Sequence, residues 1–296
     1  MRILPTLTFV LAIAAAPISF AWHHEGHHLI AMKAVRVLPD SVPAFFRDGA
    51  ATIAHVSIDP DMMRNPAAPR LSSTIAPEHF IDLELLEGRK PPKLRSQYVL
   101  MLAELKQSPE KVGLLPYSLT EWTEALTIAF AEHRKWPNNP HVKIKCLVYA
   151  GYLAHYASDL HQPLHTTIHF NGRAVDGKSS NTGIHAKVDD LLFRFKADDI
   201  AVEAKDVRAF DDAFAAVLAE IDASHALVDK VYELEKQLPA VKQAGELNAK
   251  VRDFALERAA AATKLTASLM LTAWENSKKV VIPAYMDRAA QDDGGK

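Results

Sequence analysis

The run His155-Tyr-Ala-Ser-Asp159-Leu-His-Gln-Pro163-Leu-His165 concentrates imidazole and carboxylate groups in one short stretch. His155 and Asp159 are four residues apart, so on a helix they share one face. A ring nitrogen and a carboxylate oxygen side by side are the donors that suit zinc and other borderline divalent cations. Pro163 predicts the end of that helix and an immediate turn, which can bring His165 back near the same end. The plainer reading, an exposed ion pair on a solvated helix, fits poorly with the otherwise apolar stretch from Leu147 to Ala157, where unpaired polar groups are costly.

His185-Ala-Lys-Val-Asp189 repeats the spacing after a loop containing Gly and Asn, and could supply two more donors. The chain carries 14 histidines and one cysteine, Cys146, which biases any metal chemistry toward nitrogen and oxygen ligands and leaves no internal disulfide. Lys and Arg (34) almost balance Asp and Glu (36), for a net charge of -2. That balance argues against a broad basic surface for nucleic acid, so a nucleic-acid substrate would have to be held locally.

Elements able to position these groups are legible in the patterning. With 296 residues, 49% of them hydrophobic, the chain can bury a full core. Spacings of three and four predict helices over Gly26 to Leu38, Leu119 to Lys135 with Ser118 as N-cap, and Val142 to Leu160. Val207, Phe210, Phe214, Val217, Leu218 and Ile221 form a further apolar stripe, and Val251, Phe254, Leu265, Leu269 and Trp274 another. Loops are expected at Asp59 to Arg70, Gly88 to Lys93, Trp136 to Pro140 and Asn171 to Gly183. No strand shows convincing alternation, so the expectation is all-α, a single multi-helix domain over residues 22–296 with a frayed tail after Arg288. Residues 1–21 read as a signal peptide: Arg2 gives the positive start, Leu7 to Ala16 the apolar region, and Ser19-Phe20-Ala21 the cleavage site. The mature protein would begin at Trp22 and be exported, to the periplasm or the medium, without a transmembrane anchor.

The motifs together resemble the S1/P1 nuclease and zinc-dependent phospholipase C superfamily. Its signature is similar to the His155–His165 run, its mature start to Trp22-His-His-Glu-Gly-His27, and two further segments to Asp61-Met-Met-Arg64 and His79-Phe80-Ile81-Asp82. The matched positions fall in order from Trp22 to Asp189, over half of the chain. The resemblance implies the multi-helix fold of that superfamily and three zinc ions. Asp61, His79, His155 and Asp159 would hold the first. The amine and carbonyl of Trp22, with His27 and Asp159, would hold the second, and His165, His185 and Asp189 the third. Asp159 would bridge two ions, which its two oxygens allow. Paired metals about 3.5–4 Å apart acidify water and clamp a phosphoryl oxygen, as diester hydrolysis requires. The planar fork of Arg64 suits phosphate oxygens.

Two substrates compete on these residues. In the nuclease branch, the positions matching Phe80 and Asp82 resemble a stacking platform and an acceptor for a base edge. Arg64 and Asp189 point to that branch, since the phospholipases tend to have glutamate at the last ligand and lack the arginine. Single-stranded DNA or RNA cut to 5′-phosphates, with 3′-nucleotides as a further substrate, is therefore expected, with phospholipid as the alternative. A core Phe80 and an Asp82 that orients a ligand is the other reading of that pair, and a non-catalytic exported zinc binder is the other reading of the whole. Two departures bear on the pocket wall: Asn181-Thr-Gly-Ile-His185 followed by Val188-Asp189, and Ser158 where a glycine is usual before the bridging aspartate. The remaining histidines read as structural or surface groups, with His161 placed to orient a neighbour.

Overall fold

Asn139 starts the helix that carries the signature run. Its side-chain oxygen accepts from the N–H groups of His141 and Val142, and Pro140 opens the helix where an N–H would otherwise lack a partner. The computed structural model describes residues 22–287, and in it this helix spans Pro140–Leu160. It packs along Leu115–Lys135, to which a short turn connects it. The Ala249–Asn276 helix, capped by Asn248, lies against both, and His24–Arg36 and Ala50–Val56 close the bundle on the side of His155. One hydrophobic cluster runs through these helices and includes Trp22, Phe46, Phe130, Leu153 and Leu269.

Among the described residues all regular structure is helical, with only isolated bridges such as Ile81 to Gly113. The all-α expectation holds. Among the described residues no helix is long and apolar enough to cross a membrane. The expected signal peptide and the tail after Arg288 lie outside the described residues.

Several expectations on local structure are corrected. Ser118 is not an N-cap: the helix begins at Leu115, with Pro116 in its first turn, and the Ser118 hydroxyl instead donates to Glu78. A tertiary partner thus takes over a hydroxyl that local pattern assigns to capping. The stripe from Val207 to Ile221 is split, because the helix begins at Ala213 behind an Asp212 cap, leaving Val207 and Phe210 in the preceding extended segment. The expected loop Asp59 to Arg70 contains a helical turn, Asp59–Met62, which carries Asp61, and the start of a second helix at Pro69–Ile75. The long C-terminal stripe lies on one helix with Val251, Phe254, Leu265, Leu269 and Trp274 all buried.

Candidate metal centre and adjoining cleft

Six elements converge where the signature helix ends. His155 and Asp159 face inward from its last turns, His27 from the facing His24–Arg36 helix, and Asp61 from its helical turn, while His79 ends the 3-10 turn Ala76–His79. Pro163 initiates a second 3-10 turn, Pro163–Thr166, which carries His165 back to the same place, and Ile184–Asp189 adds His185 and Asp189. All eight side chains are buried.

They form three groups, each able to hold a metal ion: His27, His155 and Asp159; Asp61, His79 and His155; and His165, His185 and Asp189. Nε2 of His27 lies 3.4 Å from Oδ1 of Asp159, and Nε2 of His155 lies 3.3 Å from its Oδ2. Asp61 presents Oδ1 to Nε2 of His79 at 3.5 Å and Oδ2 to Nε2 of His27 at 3.9 Å. In the third group His185 Nε2 is 3.4 Å from Asp189 Oδ2.

Every one of these imidazoles is anchored through its other nitrogen. Nδ1–H of His79 donates to Ile75 O (2.9 Å), that of His155 to Ser57 O (2.8 Å), that of His165 to His79 O (2.6 Å) and that of His185 to Phe170 O (3.1 Å). His27 Nδ1 lies 2.6 Å from the Ser158 hydroxyl. A carbonyl oxygen only accepts, so in those four rings Nδ1 holds the proton and Nε2 is left as a lone pair aimed into the cluster. The consequence is plainest between His165 and His185, whose Nε2 atoms face each other at 3.1 Å. Two lone pairs repel at that distance unless a cation lies between them.

The bare cluster is electrostatically costly. Nε2 of His27, His79 and His155 and both oxygens of Asp159 are buried without a hydrogen-bond partner, and such atoms cost about 1–3 kcal/mol each when left unmade. Burial pushes the Asp61 carboxyl up to about 6 and that of Asp159 up to about 8, and raises that of Asp189 well above the usual range. It drives His27, His79 and His185 well below the ordinary imidazole value and lowers His155 and His165. Neutral imidazoles with inward lone pairs, packed around carboxylates of which Asp159 has no hydrogen-bond partner, fit a site for divalent cations.

Beside the cluster opens a cleft of about 360 Å³, reached by Arg64, His79, His165 and His185 and otherwise walled mainly by Phe80, Leu85, Leu164, Ile168 and Phe170. Phe80 and Asp82 reach it from an extended segment gripped on both sides. Ile81 N–H donates to His165 O (2.8 Å) and Asp82 N–H to Val112 O (2.7 Å), while Leu115 N–H donates to Phe80 O (3.2 Å). Gly113 is required there: its φ is 94°, and a Cβ would stand 2.0 Å from Phe80 O. Alternation sends Ile81 into the core and turns Phe80 and Asp82 to the cleft. Phe80 is thus only half-buried, contrary to the core reading. Burial, with Glu84 nearby, pushes the Asp82 carboxyl up to about 8. Arg64 donates to Asp61 Oδ1 at 3.3 Å at the edge of the cluster.

Trp22 is fully buried, its indole N–H donating to Ser158 O at 3.0 Å, and His23 N–H donates to Asp189 O at 3.1 Å. These bonds tie the start of the described chain to the residues preceding and ending two of the groups. His161 does not orient any of the eight: its Nδ1–H donates to Ala157 O, and its Nε2 lies 3.4 Å from Glu220. That service falls to Gln162, whose Nε2 donates to Asp189 Oδ1 at 2.8 Å while its Oε1 accepts from Leu164 N–H. Gln162 stands inside the signature run, so its place was visible in the sequence although its role was not.

A scan against protein-family models matched none, and a search of curated proteins likewise found no match. Among solved structures the chain is similar to the alpha toxin from Clostridium absonum, with a TM-score of 0.47 and 15% sequence identity, over 87% of this chain and 67% of that one. At that identity and score the likeness bears on neither substrate nor mechanism.

Proposed function

We propose that this protein is an exported zinc-dependent phosphodiesterase that cleaves single-stranded nucleic acid to 5′-phosphate products. The observation that carries the reading is the convergence of five imidazole rings and three carboxylates, with inward Nε2 atoms and an Asp159 without hydrogen-bond partners, in a cluster whose His79, His165 and His185 line the adjoining cleft. His27, His155, Asp159, Asp61 and His79 would hold two zinc ions, with the amine and carbonyl of Trp22 completing one set, and His165, His185 and Asp189 would hold a third. When bound, zinc supplies Lewis acidity, which acidifies water and draws charge from phosphoryl oxygens.

The protein's own groups would do the rest. Arg64, which lines the cleft beside Asp61, would grip two phosphate oxygens with its fork. Phe80 offers a face for a base, with Phe170 also lining the cleft. Asp82, protonated in good part at neutral pH, can offer both an O–H and a carbonyl to a base edge. The apolar wall of Leu85, Leu164 and Ile168 supports phospholipid as a second reading, because it would also suit an acyl chain.

The two readings separate when zinc-reconstituted protein is incubated side by side with single-stranded DNA, RNA, a 3′-nucleotide and phosphatidylcholine. Cleavage of the nucleic acids with 5′-phosphate ends supports the first. Release of diacylglycerol with intact nucleic acid overturns it in favour of the second, and zinc binding with no turnover of any substrate supports a non-catalytic zinc binder.

A further inference from the structure

Four of the five inward histidines lean on main-chain carbonyls, which no substitution removes. His27 is different, because its Nδ1 lies 2.6 Å from a side-chain oxygen, Oγ of Ser158. That hydroxyl is itself 2.7 Å from His155 O and 3.0 Å from Ala154 O. With the Ser158 hydroxyl donating to these main-chain carbonyls, a lone pair of Oγ is left to accept from His27 Nδ1–H, which would give His27 the tautomer of the other four rings. Nε2 of His27 is then left unprotonated, facing Asp159 Oδ1.

The same residue works from its carbonyl. Ser158 lies in the last turn of its helix, where carbonyls lack the usual partner four residues on. Ser158 O accepts from the Trp22 indole N–H at 3.0 Å, and both residues are fully buried. The approach depends on Gly26, where a Cβ would stand 2.9 Å from the Trp22 Cβ.

We propose that Ser158, next to Asp159 in the chain, is the positioning residue for the His27 side of the cluster: its hydroxyl sets the tautomer and orientation of His27, and its carbonyl seats Trp22. This rests on the zinc reading above for its effect on metal, but not for its effect on the ring. Outer contacts of this kind typically change metal affinity by about 10- to 100-fold when removed. The Ser158→Ala variant keeps the carbonyl and loses only the hydroxyl.

The experiment has two arms on protein beginning at Trp22. In the first, histidine ring nitrogens are followed by NMR in the metal-free protein: His27 is expected as the Nδ1–H tautomer, and Ser158→Ala is expected to shift it toward a mixture, with the other four rings unmoved. In the second, zinc is titrated against a competing chelator. One ion is expected to weaken about 10- to 100-fold in Ser158→Ala while the others hold, which also shows that the variant is folded. An unchanged His27 tautomer, or uniform weakening of every ion, overturns the role of Ser158. Wild-type protein that binds no zinc sinks the zinc reading instead, and the ring-nitrogen arm still decides the role of Ser158.

Discussion

Oδ2 of Asp159 lies 3.3 Å from Nε2 of His155, one helical turn earlier on the same face, while its other oxygen faces His27 at 3.4 Å. Neither oxygen has a hydrogen-bond partner. One carboxylate thus faces two imidazoles at once, one with each oxygen, and Asp159→Ala is expected to do more harm than any other single change. Hydrolysis should fall by several orders of magnitude, and zinc content should drop by more than one ion per chain. Retention of all zinc with near-normal turnover would show that Asp159 bridges nothing.

Phe80→Ala tests the cleft. If the ring stacks a base, apparent binding of single-stranded DNA weakens by about 1–3 kcal/mol, while hydrolysis of a small diester without a base stays nearly constant. Equal losses on both substrates would assign Phe80 to packing.

The raised carboxylates give the metal-free protein and the zinc-bound protein opposite responses to pH. Asp61 and Asp159, at about 6 and about 8, hold protons when folded that an unfolded aspartate has already lost above its ordinary value of 3.8. Their contribution to stability is fully present below 3.8 and is lost as pH rises through about 8. The lowered histidines act the other way, but only below their ordinary value of 6.5, so above it the carboxylates dominate. Zinc requires the ionised carboxylates. The gain in Tm on adding zinc to chelator-treated protein should therefore grow between pH 6.5 and 8. A gain independent of pH over that window would mean that zinc binds elsewhere.

The N-terminus provides a separate test. A free α-amine titrates near 7.7–8.0, within reach of displacement by zinc, whereas an amide nitrogen has no basic lone pair to offer. Protein beginning at Trp22 should bind one more zinc ion, and turn over faster, than protein with a single extra residue before it. Equal stoichiometry and rate in the two forms would remove Trp22 from the ligand set.

The parts of this centre that depend on spacing along one helix were legible in the sequence. His155 with Asp159, and His185 with Asp189, each meet across one turn because the helical repeat brings residues four apart together. The long helices were legible too, because their apolar residues recur at three- and four-residue spacing, although the caps that start two of them, Asn139 and Asn248, were not picked out. What could not be read is what the main chain does in three dimensions. The carbonyls of Ser57, Ile75, His79 and Phe170 fix four rings, and no side chain at those positions announces it. Ser118 misled for the same reason, since its partner Glu78 is distant in sequence.

The count of bound zinc tests the central claim most directly. Protein beginning at Trp22, saturated with zinc, freed of excess and assayed by elemental analysis alongside hydrolysis of a phosphodiester, should carry three zinc ions per chain and lose activity in step with their removal by chelator. Diester hydrolysis that persists in metal-free protein, or a saturated protein that holds no zinc, would contradict it.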